Sequence, residues 1–239
     1  MRYFIAGPCA IESVDSFVGF ADELVRLFEG FPEFRLVYKG SFDKANRTLP
    51  GSPRGVGLVE AEIAWLKLRK NHSDLLLTTD IHEPWQARCV ASLVDVIQIP
   101  AFLGKQTDLV RSAVETGRLV NVKKPQWLGP SFFEQACGAG VEWCTLRGTG
   151  MYGWMHVDLH ELIDTLEIVG PFSAFLDLTH TNRGLSSRSH QMALAAQALG
   201  FQHFFAETHP CPEKAISDAP NQLTVDQLEY LLSRLQAAS

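Results

Sequence analysis

Residues 36–51, LVYKGSFDKANRTLPG, begin as an apolar strand and turn polar where the strand should end. Lys39, Ser41, Asp43, Lys44, Asn46 and Arg47 follow one another closely, in a chain whose formal net charge is -6. The same change from apolar to polar recurs along the whole sequence. Short β-rich runs start at Tyr3, Arg35, Leu75, Asp95, Leu119, Glu142, Ser173 and His203, and helical patterns separate them. Between the first two runs, Phe17, Phe20, Ala21, Leu24, Val25 and Phe28 share one helical face. The last helical stretch begins at Thr224, an N-cap with Gln227 three residues on.

Eight βα units in 239 residues match the count and length of a (β/α)8 TIM barrel, here a single domain over 1–239. A doubly wound open sheet is the rival, and it rarely needs eight strands so evenly spaced. In a parallel barrel the C-terminal strand ends meet on one rim, where the βα loops build active sites. Lys39 and Ser41, Asp80 and His82, Gln98, Asn121 and Lys123, Arg147, His180 and Glu207 all sit at such ends.

Composition narrows the function. Hydrophobic residues make up 46% and charged residues 20%, as in ordinary globular chains. An acidic chain has no long-range attraction for nucleic acid or an anionic membrane, so a local cluster must hold any bound anion. No apolar run reaches the length of a membrane helix. The start of the chain enters a strand without a signal-peptide core, and the five scattered cysteines form no CxxC pair. A cytoplasmic, reducing setting is expected.

Lys39, Lys44, Arg47, Lys123 and Arg147 at one mouth exceed what a single carboxylate requires. They suit a substrate carrying phosphate and carboxylate, or two phosphorylated substrates together. Residues 147–153, RGTGMYG, contain GxGxxG after a strand. A phosphate loop beside Arg147 suits this stretch better than a dinucleotide site. Cys9, His180 and Glu207 end the first, seventh and eighth strands, which are consecutive around a closed ring. Asp218, in the polar loop after the eighth strand, can fold back toward them. A thiolate, an imidazole and two carboxylates suit zinc, ferrous iron, manganese or cobalt, although each residue alone also fits a structural role. His156 and His160 read as a surface pair one helical turn apart, and His209 as support for Glu207 or His180.

The motifs IAGPCAIES from Ile5, KGSFDKANR from Lys39, TTDIHEPWQA from Thr78, IQIPAFLGKQTDL from Ile97 and VNVKKPQW from Val120 carry a resemblance. With DLTH ending at His180 and ETHPCPEKAISDAPNQL from Glu207, the chain resembles the 3-deoxy-D-manno-octulosonate 8-phosphate synthases. These share a superfamily with the 3-deoxy-heptulosonate phosphate synthases. The resemblance implies a barrel, usually homotetrameric, that condenses phosphoenolpyruvate with arabinose 5-phosphate in carbohydrate and lipopolysaccharide biosynthesis. By motif match, Ser41, Lys44, Gln98, Lys123 and Arg147 correspond to the phosphoenolpyruvate site, with Lys39 beside them. Asn46, Arg47 and Thr48 correspond to residues that hold the sugar phosphate. Asp80 and His82 would face the acceptor, and Lys105 stands where an arginine often reaches a neighbouring subunit's acceptor phosphate. Lys44, Asn46, Asp80 and His82 are the expected catalytic residues. Cys9, His180, Glu207 and Asp218 match the ligands of the metal-dependent form; the metal-independent form has asparagine at the cysteine's place.

Three departures lie around the expected acceptor side: TLPGSPRG after the KANR motif, the short TNRGLSSRSHQ after DLTH, and Leu146 in place of a glutamate. A chain joining phosphoenolpyruvate to a different aldehyde is therefore the alternative. A barrel that binds a phosphorylated ligand without turnover is disfavoured by the retained Lys44, Arg47, Asp80, His82 and metal positions.

Overall fold

The computed structural model describes residues 1–45, 50–151, 154–182 and 186–239. All eight expected strands form, and they close into a parallel barrel. They are β1 (Arg2–Gly7), β2 (Phe34–Lys39), β3 (Leu76–Asp80), β4 (Val96–Ile99), β5 (Leu119–Lys123), β6 (Trp143–Leu146), β9 (Ala174–Asp177) and β10 (His203–Glu207). The last of these pairs with β1 in register Gly7↔Glu207, so the strands carrying the expected metal ligands are indeed neighbours.

Helices α1 (Val14–Glu29), α2 (Gly57–Asn71), α3 (Pro84–Val90), α4 (Thr107–Val114), α5 (Phe132–Gly138) and α6 (Leu159–Val169) follow the first six barrel strands. A single turn, α7 (Leu178–Thr181), precedes α8 (Ser189–Leu199), and α9 (Val225–Ala237) closes the chain. Ser13 caps α1 by accepting from the Ser16 amide, and the expected face turns inward, with Phe17, Phe20, Ala21, Leu24 and Phe28 buried. Thr224 and Gln227 form the expected capping box on α9.

Strand alternation sorts the side chains into two layers. Ile5, Val37, Val96, Trp143, Phe175 and Phe205 pack inside the barrel, while the larger core lies between barrel and helices. Toward the C-terminal rim the inward positions become polar: Lys39, Thr78, Asp80, Gln98, Asn121, Lys123, Thr145, Asp177 and Glu207 are all buried. Leu146 belongs to the outer layer, so that departure from the family pattern faces the helices and not the mouth.

The structure adds one feature and changes two expectations. The glycine-rich stretch after β6 is an antiparallel hairpin, β7 (Thr149–Met151) with β8 (Trp154–His156), which agrees with the reading against a dinucleotide site, where the glycines would lead from a strand into a helix. A side chain at Gly148, where φ is +82°, would strike the His156 carbonyl, so this glycine lets the strand fold back. His156 therefore lies on β8 and only His160 on α6, so the two are not one helical turn apart. His180 does not end a strand: Asp177 Oδ1 accepts from the Thr179 and His180 amides and turns the chain into α7.

Candidate active site

The mouth is built from the ends of all eight strands, and its first feature is a set of buried ion pairs. Lys39 Nζ donates to Glu207 Oε1 at 3.0 Å and to the Pro8 and Cys9 carbonyls at 3.3 and 2.6 Å. These three acceptors use every ammonium proton, so Lys39 ties β2 to the ends of β1 and β10. The contact needs Gly7, because a Cβ there would lie 2.2 Å from the Lys39 carbonyl oxygen. Lys44 Nζ pairs with Asp80 Oδ2 at 2.9 Å, and Lys123 Nζ with Asp177 Oδ2 at 2.8 Å. Lys123 also lies 3.2 Å from the centre of the Phe205 ring.

A directed hydrogen-bond chain crosses four strands beneath these pairs. Thr145 donates to Asn121 Oδ1 at 2.8 Å, Asn121 donates to Gln98 Oε1 at 3.0 Å, and Gln98 donates to Asp80 Oδ1. Ser41 completes it with a 2.7 Å bond to Asp80 Oδ2. Asp80 thus accepts from three donors, Gln98 on Oδ1 and Ser41 and Lys44 on Oδ2, which holds Lys44, Ser41 and Gln98 in place.

These pairings set the charge states. Burial alone would raise the Asp80 pKa, but Lys44, Lys39, His82 and Lys123 hold it well below the usual carboxylate range. Burial would likewise raise Glu207, yet Lys39, Lys44, His180 and Lys123 bring it down to about 2. For Lys44, burial acts downward and is outweighed by Asp80, Cys9 and Glu207, which keep it charged. Lys123 goes the other way, lowered by desolvation despite Asp177. Desolvation also lowers His82, leaving a neutral imidazole with both ring nitrogens buried and without hydrogen-bond partners among the described residues. Buried polar atoms of this kind call for a partner, and here they line the mouth.

Cys9, Glu207 and Asp218 offer ligand atoms that all lie within 4.8 Å of one another. Cys9 Sγ donates to Asp218 Oδ2 at 3.1 Å, and burial, then Glu207, pushes the thiol up to about 12. Glu207 Oε2 is buried with no hydrogen-bond partner among the described residues. A divalent cation fits this set: it would displace the thiol proton and satisfy the orphaned carboxylate oxygen. His180 lies outside the three-residue cluster. Its Nδ1 is held by Asp177 Oδ2 at 2.8 Å, which leaves Nε2 as the nitrogen available to a ligand.

Of the remaining expected residues, Gln98 is placed by the chain just described. Arg147 is half-buried, with Nε lacking a hydrogen-bond partner among the described residues and its guanidinium 5.9 Å from the Phe102 ring centre. Lys105 is exposed on the outer rim. Asn46, Arg47 and Thr48 lie outside the described residues. His209 does not support the cluster: its Nδ1 accepts from the Cys211 amide and its Nε2 faces Glu12 at 3.5 Å. Sequence reading missed Asp177 and Thr145. Asp177, fully buried, serves Lys123, His180 and the α7 turn at once; its signal was an acid at the end of an apolar strand.

This fold and this mouth define the class, a (β/α)8 barrel enzyme whose rim gathers cations beside a thiol–carboxylate cluster. The chain matches the model of the DAHP synthetase I family over residues 1–238 and belongs to that family. It is 42% identical to a 2-dehydro-3-deoxyphosphooctonate aldolase of Nitratidesulfovibrio vulgaris, over 99% of this chain and 91% of that protein. Proteins of the same name from Cyanothece sp. and Chromobacterium violaceum are each 38% identical, covering 98% and 97% of this chain and 90% and 87% of their own lengths.

Proposed function

We propose that this chain, acting as one domain, condenses phosphoenolpyruvate with arabinose 5-phosphate and releases inorganic phosphate. The product, a phosphorylated 3-deoxy-2-ulosonate, has the eight carbons that joining a three-carbon donor to a pentose gives. It corresponds to the octonate in the relatives' name. The observation that carries this reading is one juxtaposition. Lys44, Lys123 and Arg147 stand in the same mouth as the Cys9–Glu207–Asp218 set and a neutral His82 whose ring nitrogens have no hydrogen-bond partner among the described residues.

In this reading Lys123 and Arg147 receive the donor's phosphate and carboxylate. Arg147 is suited to this because no acid pairs with it among the described residues. Ser41 and Gln98 shape the donor site through Asp80, and Lys39 holds the wall that carries Cys9 and Glu207. Fixing C3 of phosphoenolpyruvate against the aldehyde carbon supplies much of the rate. As the new C–C bond forms, Lys44, kept as an ammonium by Asp80, stabilises the alkoxide developing on the aldehyde oxygen. His82 hydrogen-bonds the acceptor. Water adds at C2, phosphate leaves from that carbon, and Lys123 and Arg147 stabilise its charge. Asn46, Arg47 and Thr48 would hold the acceptor phosphate, by family resemblance. Cys9, Glu207, Asp218 and Nε2 of His180 would hold zinc, ferrous iron, manganese or cobalt, which supplies Lewis-acid polarisation of the aldehyde or acidifies a bound water.

A homotetramer in the cytoplasm completes the proposal. Exposed Lys105 lies near the exposed aromatic pair Phe102 and Trp127, whose ring centres are 6.2 Å apart, and a neighbouring subunit would cover this patch. No helix among the described residues is long and apolar enough to cross a membrane.

The test is phosphate release from phosphoenolpyruvate, with and without arabinose 5-phosphate, with added divalent metal and with a chelator. Release that needs both sugar and metal is the expected result. Phosphoenolpyruvate binding without release would move the reading to a different aldehyde, to be found with an acceptor panel. Failure to bind phosphoenolpyruvate at all would overturn the donor assignment.

A further inference from the structure

Away from the mouth, the sulfur atoms of Cys137 and Cys144 lie 3.8 Å apart. Cys137 is exposed on the last turn of α5. Cys144 is buried on β6, in the layer between barrel and helices. Local topology brings them together. The Val141 amide bonds the Ala136 carbonyl at 3.1 Å and the Gly140 amide bonds the Cys137 carbonyl at 2.9 Å. The chain therefore reverses within a tight turn, and the end of the helix lies over the start of the strand that follows.

We propose that Cys137 and Cys144 form an oxidation site, converted by a hydroperoxide into an intramolecular disulfide and restored by a dithiol. The Cys137 thiolate attacks one oxygen of the hydroperoxide and the O–O bond breaks. This leaves a sulfenic acid on Cys137 and an alkoxide or hydroxide that takes up a proton. Cys144 Sγ then attacks the Cys137 sulfur: the S–S bond forms, the S–O bond breaks, and the hydroxide leaves as water with the Cys144 proton. Two thiols are oxidised by two electrons, and the hydroperoxide is reduced to an alcohol or water.

The two positions divide the work. Cys137 meets the solvent, and its hydrogen bond with Cys144 brings its pKa down to about 7 despite partial burial. The same bond, followed by burial, pushes the Cys144 thiol far up, so it stays protonated and shielded until Cys137 has reacted. Closure to a bond of about 2.05 Å asks the sulfurs to approach by less than 2 Å. The helix end beside Gly138, Ala139 and Gly140 is the segment that can yield. Two other thiols serve as internal comparisons: exposed Cys89 has no sulfur partner among the described residues, and Cys211 donates to Glu213.

Glu142 lies between the two cysteines, so cleavage after glutamate places them on separate peptides. Purified full-length protein is treated with hydrogen peroxide, its free thiols are alkylated, and the digest is read by mass spectrometry. The expected product is one cross-linked species, lighter by two hydrogens than its two reduced peptides and reversed by dithiothreitol. C144S should stop at a sulfenic acid on Cys137 that dimedone traps. C137S, changed at an exposed site, should leave Cys144 a thiol at the same dose and keeps the test valid if C144S does not fold. Over-oxidation of wild-type Cys137 without a cross-link, or oxidation of Cys89 while Cys137 remains a thiol, would overturn the proposal.

Discussion

Asp177→Asn is the substitution that interrogates the mouth most directly. Asp177 Oδ1 caps α7 through the Thr179 and His180 amides at 2.9 and 3.0 Å, and an asparagine oxygen can keep both bonds. Oδ2 is different, because it accepts from Lys123 Nζ and from His180 Nδ1, each at 2.8 Å. An amide NH2 there would face two donors with a third. Removing one partner of a buried ion pair costs about 3–5 kcal/mol, because the remaining charge stays desolvated. Two features place D177N near the lower end. Lys123 can lose its proton, since desolvation already lowers its pKa and Asp177 is the largest influence opposing that, and the Phe205 ring still faces the ammonium. A loss of about 3 kcal/mol is expected, read as a fall in the urea midpoint at unchanged m.

The double-mutant cycle with Lys123→Met decides whether this account is right. If the cost is an orphaned buried charge, D177N/K123M should recover most of the stability that D177N loses. Strictly additive losses would refute the reasoning and leave Asp177 as a cap alone. A second readout is independent of stability. Without its acceptor, His180 Nδ1 no longer fixes the ring, and on the proposed reading of Nε2 as a ligand, metal affinity should fall about 10–100-fold.

His203, buried at the base of the barrel, accepts the Tyr3 amide on Nδ1, and burial lowers its pKa to about 4. A depressed folded pKa gives stability that is complete above the unfolded value near 6.5 and is lost as pH falls through 4. Urea titrations across that window should show about 3 kcal/mol lost, less in His203→Gln. Thr145→Val removes the first donor of the chain that ends on Asp80, leaving Asn121 Oδ1 unsatisfied in the barrel interior. A loss of about 1–3 kcal/mol in chemical denaturation is expected, and a neutral result would mean the chain relaxes without it.

The barrel was legible because its signal repeats. Each of eight short runs is apolar at its start and polar at its end, and the strands fall where those runs predict. The closure of β10 on β1, which brings Cys9 to Glu207, followed from that count alone. What the sequence did not reveal is how the mouth's charges are shared. A lysine at a strand end looks the same whether it waits for an anion or is already spent. Lys39 turned out to have all three protons engaged, and the partner of Lys123, Asp177, sits 54 residues away. The one-turn α7 also escaped notice, because its cause is the reach of a single aspartate oxygen and not a periodic pattern. The hairpin in the GxGxxG stretch was hidden for a related reason: its glycines fit a phosphate loop and a hairpin equally well, and Gly148 is needed for the latter.

The pairing also explains how so many cations can stand buried together. Lys39, Lys44 and Lys123 are each paired with an acid, Glu207, Asp80 and Asp177 in turn, while no acid pairs with Arg147 among the described residues. Such pairing offsets the desolvation that lowers the pKa of a buried lysine, although at Lys123 desolvation still outweighs Asp177. Lysines paired in this way, however, attract anions weakly. On the proposed reading, a divalent ion held by Cys9, Glu207 and Asp218 would tip that balance by adding positive charge beside the lysines in exchange for the proton of the Cys9 thiol. Glu207, which keeps Lys39 paired without substrate, would then be partly neutralised from the other side, and Lys44 and Lys123 would be left to hold phosphate and carboxylate.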